Sequence, residues 1–538
     1  MSRRLAARLA LLGGISLACP AVTPMASAQQ HDHAHAGASP ATLGELNFPV
    51  SCAANVQAGF NEAIKLQHSF WYQAARQRFD DVLRQDPNCA MAYWGRALTL
   101  LNNPFTPPVA ANLREGRAGL EQAQRIGPPS EREAGFIAAL LLLFAGDDGP
   151  GHRARIGQYE EAMARLHQRF PDDPEVAIQY ALALNMAAPA TDKTYARQLR
   201  AAKILEGELA RQPRHPGVVH YLIHTYDVPA LAGRGIAAAE RYAALAADAP
   251  HALHMPSHIF TRVGRWEDSI ETNRRSAQTA RAREETFDEI HAMDYMVYGY
   301  LQTGQPRAAQ QVVAGLRRLD SWTPDRPIGG FALAAMPARL ALEQGDWEGA
   351  AGLGTRRFGV PYVDAITHFA RALGAARAGR PEAAMADIAA LQAVASALEG
   401  RDAYWQEQVE IQRIAAQGWV AFSRGQRDQG LAMLREAAER EGRTDKHPVT
   451  PGPLMPAREQ LGEMLLAMQR PAEAQREFEA VQQTEPRRFR AVNGAAMAAD
   501  QAGDRDAARR HYVQLMEIAA RAESPQPDLD RARTFLAR

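Results

Sequence analysis

Small and large apolar positions recur along the chain in one phase: an alanine, a large apolar residue four positions on, and a proline eight further. The spacing occurs at Ala75, Phe79 and Pro87; Ala162, Leu166 and Pro174; Ala201, Leu205 and Pro213; Ala238, Tyr242 and Pro250; and Ala474, Phe478 and Pro486. Positions four apart share a helix face and proline stops a helix, so each match predicts the second helix of a packed pair. Ala508 and Tyr512 repeat Ala474 and Phe478 at a distance of 34 residues. Gly264, Gly304, Gly345, Gly379, Gly425 and Gly503 each open a short polar turn and read as residues that end the first helix of a hairpin. No segment alternates apolar and polar residues as a strand does. The pattern predicts an all-α chain of helical hairpins.

Pro-rich stretches at 103–130 and 319–331 interrupt the pattern. The second is taken as the division between an N-terminal half, 51–320, and a C-terminal half, 321–538. A third irregular stretch, Thr444 to Pro453, precedes a helix opening near Pro456. A Pro-rich loop of this length inside a compact array usually carries function.

The first 28 residues have the form of a secretory signal: Arg3, Arg4 and Arg8, an apolar run from Leu9 to Val22, and the small-residue box Ala26-Ser27-Ala28. Cleavage after Ala28 is expected, which places the protein in the periplasm or outside the cell; lipid attachment at Cys19 is the alternative. No later apolar run is long enough to span a bilayer. Residues 29–50 are expected to be a disordered, His-containing segment. Its His31, His33 and His35 form a possible N-terminal metal site suited to Cu(II) or Ni(II). The two remaining cysteines, Cys52 and Cys89, are expected to bond in an oxidising compartment.

With 61 basic and 61 acidic side chains the formal charge is zero, which removes the electrostatic case for nucleic acid or an anionic membrane surface. A monomer or weak oligomer is expected, with its partners recognised locally.

The chemistry concentrates between His215 and Asp294. Pro216, His220 and His224 recur as Pro250, His254 and His258, displaced by 34 residues. That period, with the alanine, large apolar and proline phase, is the tetratricopeptide period, so the fold expected is a right-handed tetratricopeptide-repeat-like α-solenoid. Each pattern offers two imidazoles on one helix face, and equivalent positions of adjacent repeats lie side by side. The expected transition-metal ligands, for copper or zinc, are His220, His224, His254 and His258, supplemented by His251, His291 and Asp294. Pro256 lies inside the second pattern, so the helix either kinks there or begins there. His68, His447 and Glu459 are further candidates for the groove. The five residues from His220 to His224 carry Tyr221 where a zinc-protease helix has Glu, which excludes that mechanism. The aromatic residues Phe70, Trp71, Tyr72, Tyr93 and Trp94 read as core.

The chain resembles a family of secreted bacterial tetratricopeptide-repeat proteins. The stretches that carry the resemblance are His68-Ser69-Phe70; Asp86-Pro87 with Cys89 to Gly95; His215-Pro216-Gly217 with His220 to His224; His251 to Phe260; Asp294-Tyr295; and Pro456 to Glu459 with Leu461-Gly462. The resemblance implies the fold and export, and leaves the chemistry to the residues. The reading that results is an exported repeat protein with a His-rich groove site that binds or handles a transition metal. A scaffold holding a peptide or protein in the groove is the alternative, and a metal-dependent enzyme the third.

Overall fold

Helical hairpins follow one another through the whole of the computed structural model, which describes residues 40–146, 149, 151–319, 322, 326–523 and 526–538. Among these residues there is no strand, and the architecture is an all-α tetratricopeptide-like solenoid. The signal-like segment, Cys19, His31, His33 and His35 lie outside the described residues, as does the boundary at 320 and 321.

Packing follows the spacing read from the sequence. Phe79 is fully buried against Gly95, where a Cβ would stand 2.2 Å from its ring. Phe478 sits between Gly462 and Gly494 in the same way. Close approach of neighbouring helices therefore requires a large side chain on one helix and none on the next. The six turn glycines all adopt φ between 67° and 83°, the left-handed conformation in which glycine ends a helix without a Cβ penalty.

The expected disorder of residues 29–50 does not extend to their described end. Leu43 and Phe48 are fully buried, and Phe48 packs among Phe60, Trp94 and Phe136. Two large apolar side chains are enough to dock a segment whose composition is otherwise polar.

The row of hairpins also closes on itself. The Trp266 indole donates to the carbonyl of Arg487, Tyr298 donates to Glu485, and the Phe489 amide donates to Gln302. A buried cluster including Ile290, Met293, Val297, Leu333 and Met336 crosses the position taken from sequence as the inter-half division. The loop after Gly442 reaches back to the N-terminal part, where the Asp445 amide donates to the Ala190 carbonyl and its carboxylate pairs with Lys193 at 2.7 Å. No helix among the described residues is long and apolar enough to cross a membrane.

Cys52 and Cys89 are joined by a disulfide across 37 residues, tying the first helical pair to the start of the next helix. Reducing it should lower the unfolding free energy by about 3–4 kcal/mol, the chain-entropy value for a loop of this size. Urea titration of oxidised and reduced protein measures the difference; coincident curves would show that the cross-link contributes nothing.

Candidate functional site

Helix Pro216–Tyr226 supplies the first pair of imidazoles. His215 caps it, accepting from the Val218 amide through Nδ1, and Pro216 occupies its first turn. His220 and His224 then share a face, with their Nε2 atoms 3.1 Å apart. The second pattern is split between helices Pro250–His254 and Pro256–Arg262, but Met255 between them keeps helical dihedrals, φ −53° and ψ −37°. The proline therefore bends the helix without breaking its phase, and the Nε2 atoms of His254 and His258 stand 3.0 Å apart.

The four histidines do not converge on one point. The structure divides them into two trios, each completed by an imidazole from the first helix of the following hairpin: His220, His224 and His251, and His254, His258 and His291. Within each trio the ligand atoms lie within 4.8 Å of one another. Five of the six imidazoles are buried; His224 is partly exposed. Burial, the largest cause in each case, lowers all six imidazole pKa values, to about 3 at His220 and at His291. At neutral pH the rings are uncharged; the Tyr295 hydroxyl stands 3.5 Å from Nε2 of His258.

The partners of the Nδ1 nitrogens decide where the lone pairs of three rings point. Nδ1 of His220 donates to the His68 carbonyl at 2.6 Å, and Nδ1 of His258 donates to the Asp227 carboxylate at 2.9 Å. Nδ1 of His254 faces Oδ1 of Asn273 at 2.6 Å, while the Asn273 amide nitrogen is committed to the Ser269 carbonyl. All three partners only accept, so all three histidines carry the proton on Nδ1 and a lone pair on Nε2. In the 254/258 pair two lone pairs thus face each other across 3.0 Å. His224 Nδ1 and His251 Nε2 are buried with no hydrogen-bond partner.

Asp227 joins the site to the rest of the chain. Its carboxylate accepts from His258 and from Arg262 at 2.8 Å, and pairs with Lys446 of the Pro-rich loop at 3.2 Å. Burial alone would raise its pKa, but Lys446 and Arg262 hold it well below the usual carboxylate range. Burial lowers that of Lys446 to about 8, with Arg262 adding to the effect.

The remaining candidates lie around the trios. His68 is tied through Nε2 to Glu175 and through Nδ1 to the Tyr221 hydroxyl, and Glu175 also accepts from His215. Every ring nitrogen of that group is satisfied, so it frames His220 through the His68 carbonyl. Asp294 belongs to neither trio; it stands 3.8 Å from Arg339, and burial pushes its pKa up to about 6. His447 stacks on Trp405 with its pKa lowered to about 4 by burial. Glu459 lies in a separate buried ion network, 2.6 Å from Arg488. Phe70 is buried, as a core residue is expected to be, and it also packs against His220, His224 and His251. Lys446, Asn273 and Glu175 carry no repeat-phase signal that marks them as site residues.

No protein-family model and no curated protein matches the chain. Among solved structures it is similar to a human IFIT1 dimer with m7Gppp-AAAA, at 11% identity and TM-score 0.39, over 80% of this chain and 90% of that one. It is similar to yeast Tom70 at 11% identity and TM-score 0.32, over 90% and 95%. The TPR domain of P58(IPK) aligns at 12% identity and TM-score 0.22, over 90% and 99%. These likenesses carry nothing about what this chain binds.

Asp227→Asn should cost about 3–5 kcal/mol at pH 7, because Arg262 and Lys446 lose their counter-charge while still buried. A carboxylate held below its unfolded pKa stabilises the fold above about pH 4 and loses that effect as pH falls further. The gap between wild type and variant, read by denaturant unfolding, should therefore narrow below pH 4. Gly217→Ala would place a Cβ 2.4 Å from Nδ1 of His68, and a loss of about 1–3 kcal/mol is expected in the same measurement.

Proposed function

We propose that the chain is an exported helical-repeat protein that binds a transition metal, copper or zinc, through its two histidine trios. The observation that supports this most directly is the 254/258 pair. Two neutral imidazoles with Nδ1 committed as donor have no hydrogen bond to offer each other, and lone pairs 3.0 Å apart repel unless a cation lies between them. A shared proton is disfavoured, because burial lowers both pKa values. A metal ion meets the geometry: two nitrogens at about 2.0–2.1 Å from an ion stand 3.0 Å apart when they subtend roughly 95°.

The hydrogen bonds behind the ligands support the same reading. A backbone carbonyl, an amide oxygen and a carboxylate each orient one imidazole, as outer partners of metal-bound histidine do. The signal-like segment and the Cys52–Cys89 bond favour handling of the metal outside the cytoplasm. The competing reading makes the groove a site for a peptide or protein partner, with the histidines as its hydrogen-bonding floor.

Calorimetric titration with Zn(II) and Cu(II) separates the two, using protein in which His31, His33 and His35 are replaced by Ala. Metal binding tighter than about 100 μM is expected. Single His→Ala changes within a trio should each remove most of the affinity, and a second change in the same trio should add little. Metal should raise the unfolding temperature, and the trio variants should lose that increment. An exposed imidazole site fails near pH 6; burial moves proton competition lower here, so binding should persist at about pH 5. Absence of binding at 100 μM would leave the partner-binding reading.

A further inference from the structure

The two trios are not isolated from each other. The rings of His224 and His258 lie 5.7 Å apart between centroids, and those of His251 and His254 5.8 Å apart, so the trios touch along two edges. An ion bound by imidazole stands only about 2 Å beyond the nitrogen. Ions in the two trios would therefore be near neighbours.

The ligand count leaves each ion incomplete. Each trio gives three nitrogens, and among the described residues neither set gains a carboxylate or a thiolate. A four-coordinate ion then keeps one open position. The walls limit what enters it: Phe70 lies against three rings of one trio and Tyr295 against three rings of the other.

Charge decides the class of ligand. Neutral imidazoles contribute no negative charge; of the carboxylates beside the site, Asp227 is engaged with Arg262 and Lys446, Asp294 stands 3.8 Å from Arg339, and Asp288 reaches only the edge of one trio, 4.0 Å from Nδ1 of His251. Two divalent ions would leave their charge uncompensated in a buried site, which is costly. An anion between them offsets part of that charge and fills both open positions at once.

We propose, on the reading that the trios hold metal, that they form a single two-ion centre bridged by a small exogenous anion, with hydroxide as the resident ligand. To form it, a water bonds both ions through its oxygen and releases one proton to solvent; no electron moves. The partly exposed edge of His224 is the approach for the ligand. The ligand class is a monoatomic to triatomic anion that donates through oxygen, nitrogen or halide.

The test uses full-length protein with His31, His33 and His35 replaced by Ala, loaded with Cu(II) and probed with azide. Saturation at two Cu(II) per chain is expected, with the integrated EPR intensity well under that of two isolated ions because the bridge couples their spins. One azide per two coppers should bind and produce one new charge-transfer band. His251→Ala and His291→Ala should each hold one Cu(II) with full EPR intensity. If either variant fails to fold, wild type loaded with a single equivalent supplies the same comparison. Two coppers with fully additive EPR intensity, each taking its own azide, would overturn the bridged centre while leaving metal binding intact. Saturation at one copper would overturn the two-ion centre, and no copper at all would reject the metal reading beneath it.

Discussion

A single buried carboxylate, Asp227, organises this molecule around its site. It ends the helix that carries His220 and His224, and it holds Nδ1 of His258 on the helix of the next repeat. It draws in Arg262 and, from 219 residues further along, Lys446 of the Pro-rich loop. Three buried charges in contact are stable only as a set, because each would be costly alone. The loop therefore does not merely lie over the groove. Its lysine is part of the charge balance that fixes the orientation of an imidazole in the site.

Around that anchor, His254 and His258 are held neutral with their Nε2 lone pairs facing each other, a condition poorly suited to a hydrogen bond between them. Burial keeps all six imidazoles of the trios neutral, and acceptors behind three of them turn the lone pairs inward. The His68, Glu175 and His215 group shows the contrast. There a carboxylate is shared between two imidazoles, every ring nitrogen has a partner, and the group closes on itself. Two clusters of the same residue type thus differ in hydrogen bonding, because one contains its own acceptor and in the other the acceptors lie behind the rings.

A second buried network serves the fold. Arg488 is fully buried; it donates to Glu459 and to Glu343, each at 2.6 Å, and to the Tyr298 hydroxyl at 3.2 Å. Tyr298 in turn donates to Glu485. These contacts fasten the C-terminal hairpins to the middle of the chain, which is why an array of local hairpins closes on itself. Glu459 belongs to this lock, about which a one-dimensional repeat pattern carries no information.

The sequence by itself determined the hairpins, because the alanine, large apolar and proline spacing and the turn glycines express local constraints of backbone conformation and helix contact. It determined that His220 pairs with His224 and His254 with His258, since residues four apart share a face even where Pro256 bends the helix. The tertiary structure decided the rest. The division into trios depends on which neighbouring helix presents His251 or His291, and the direction of each lone pair depends on acceptors as remote as the His68 carbonyl. The burial of Leu43 and Phe48 and the arrival of Lys446 at Asp227 depend on long-range docking. Such contacts are set by the superhelical path of the whole array, which no local period encodes.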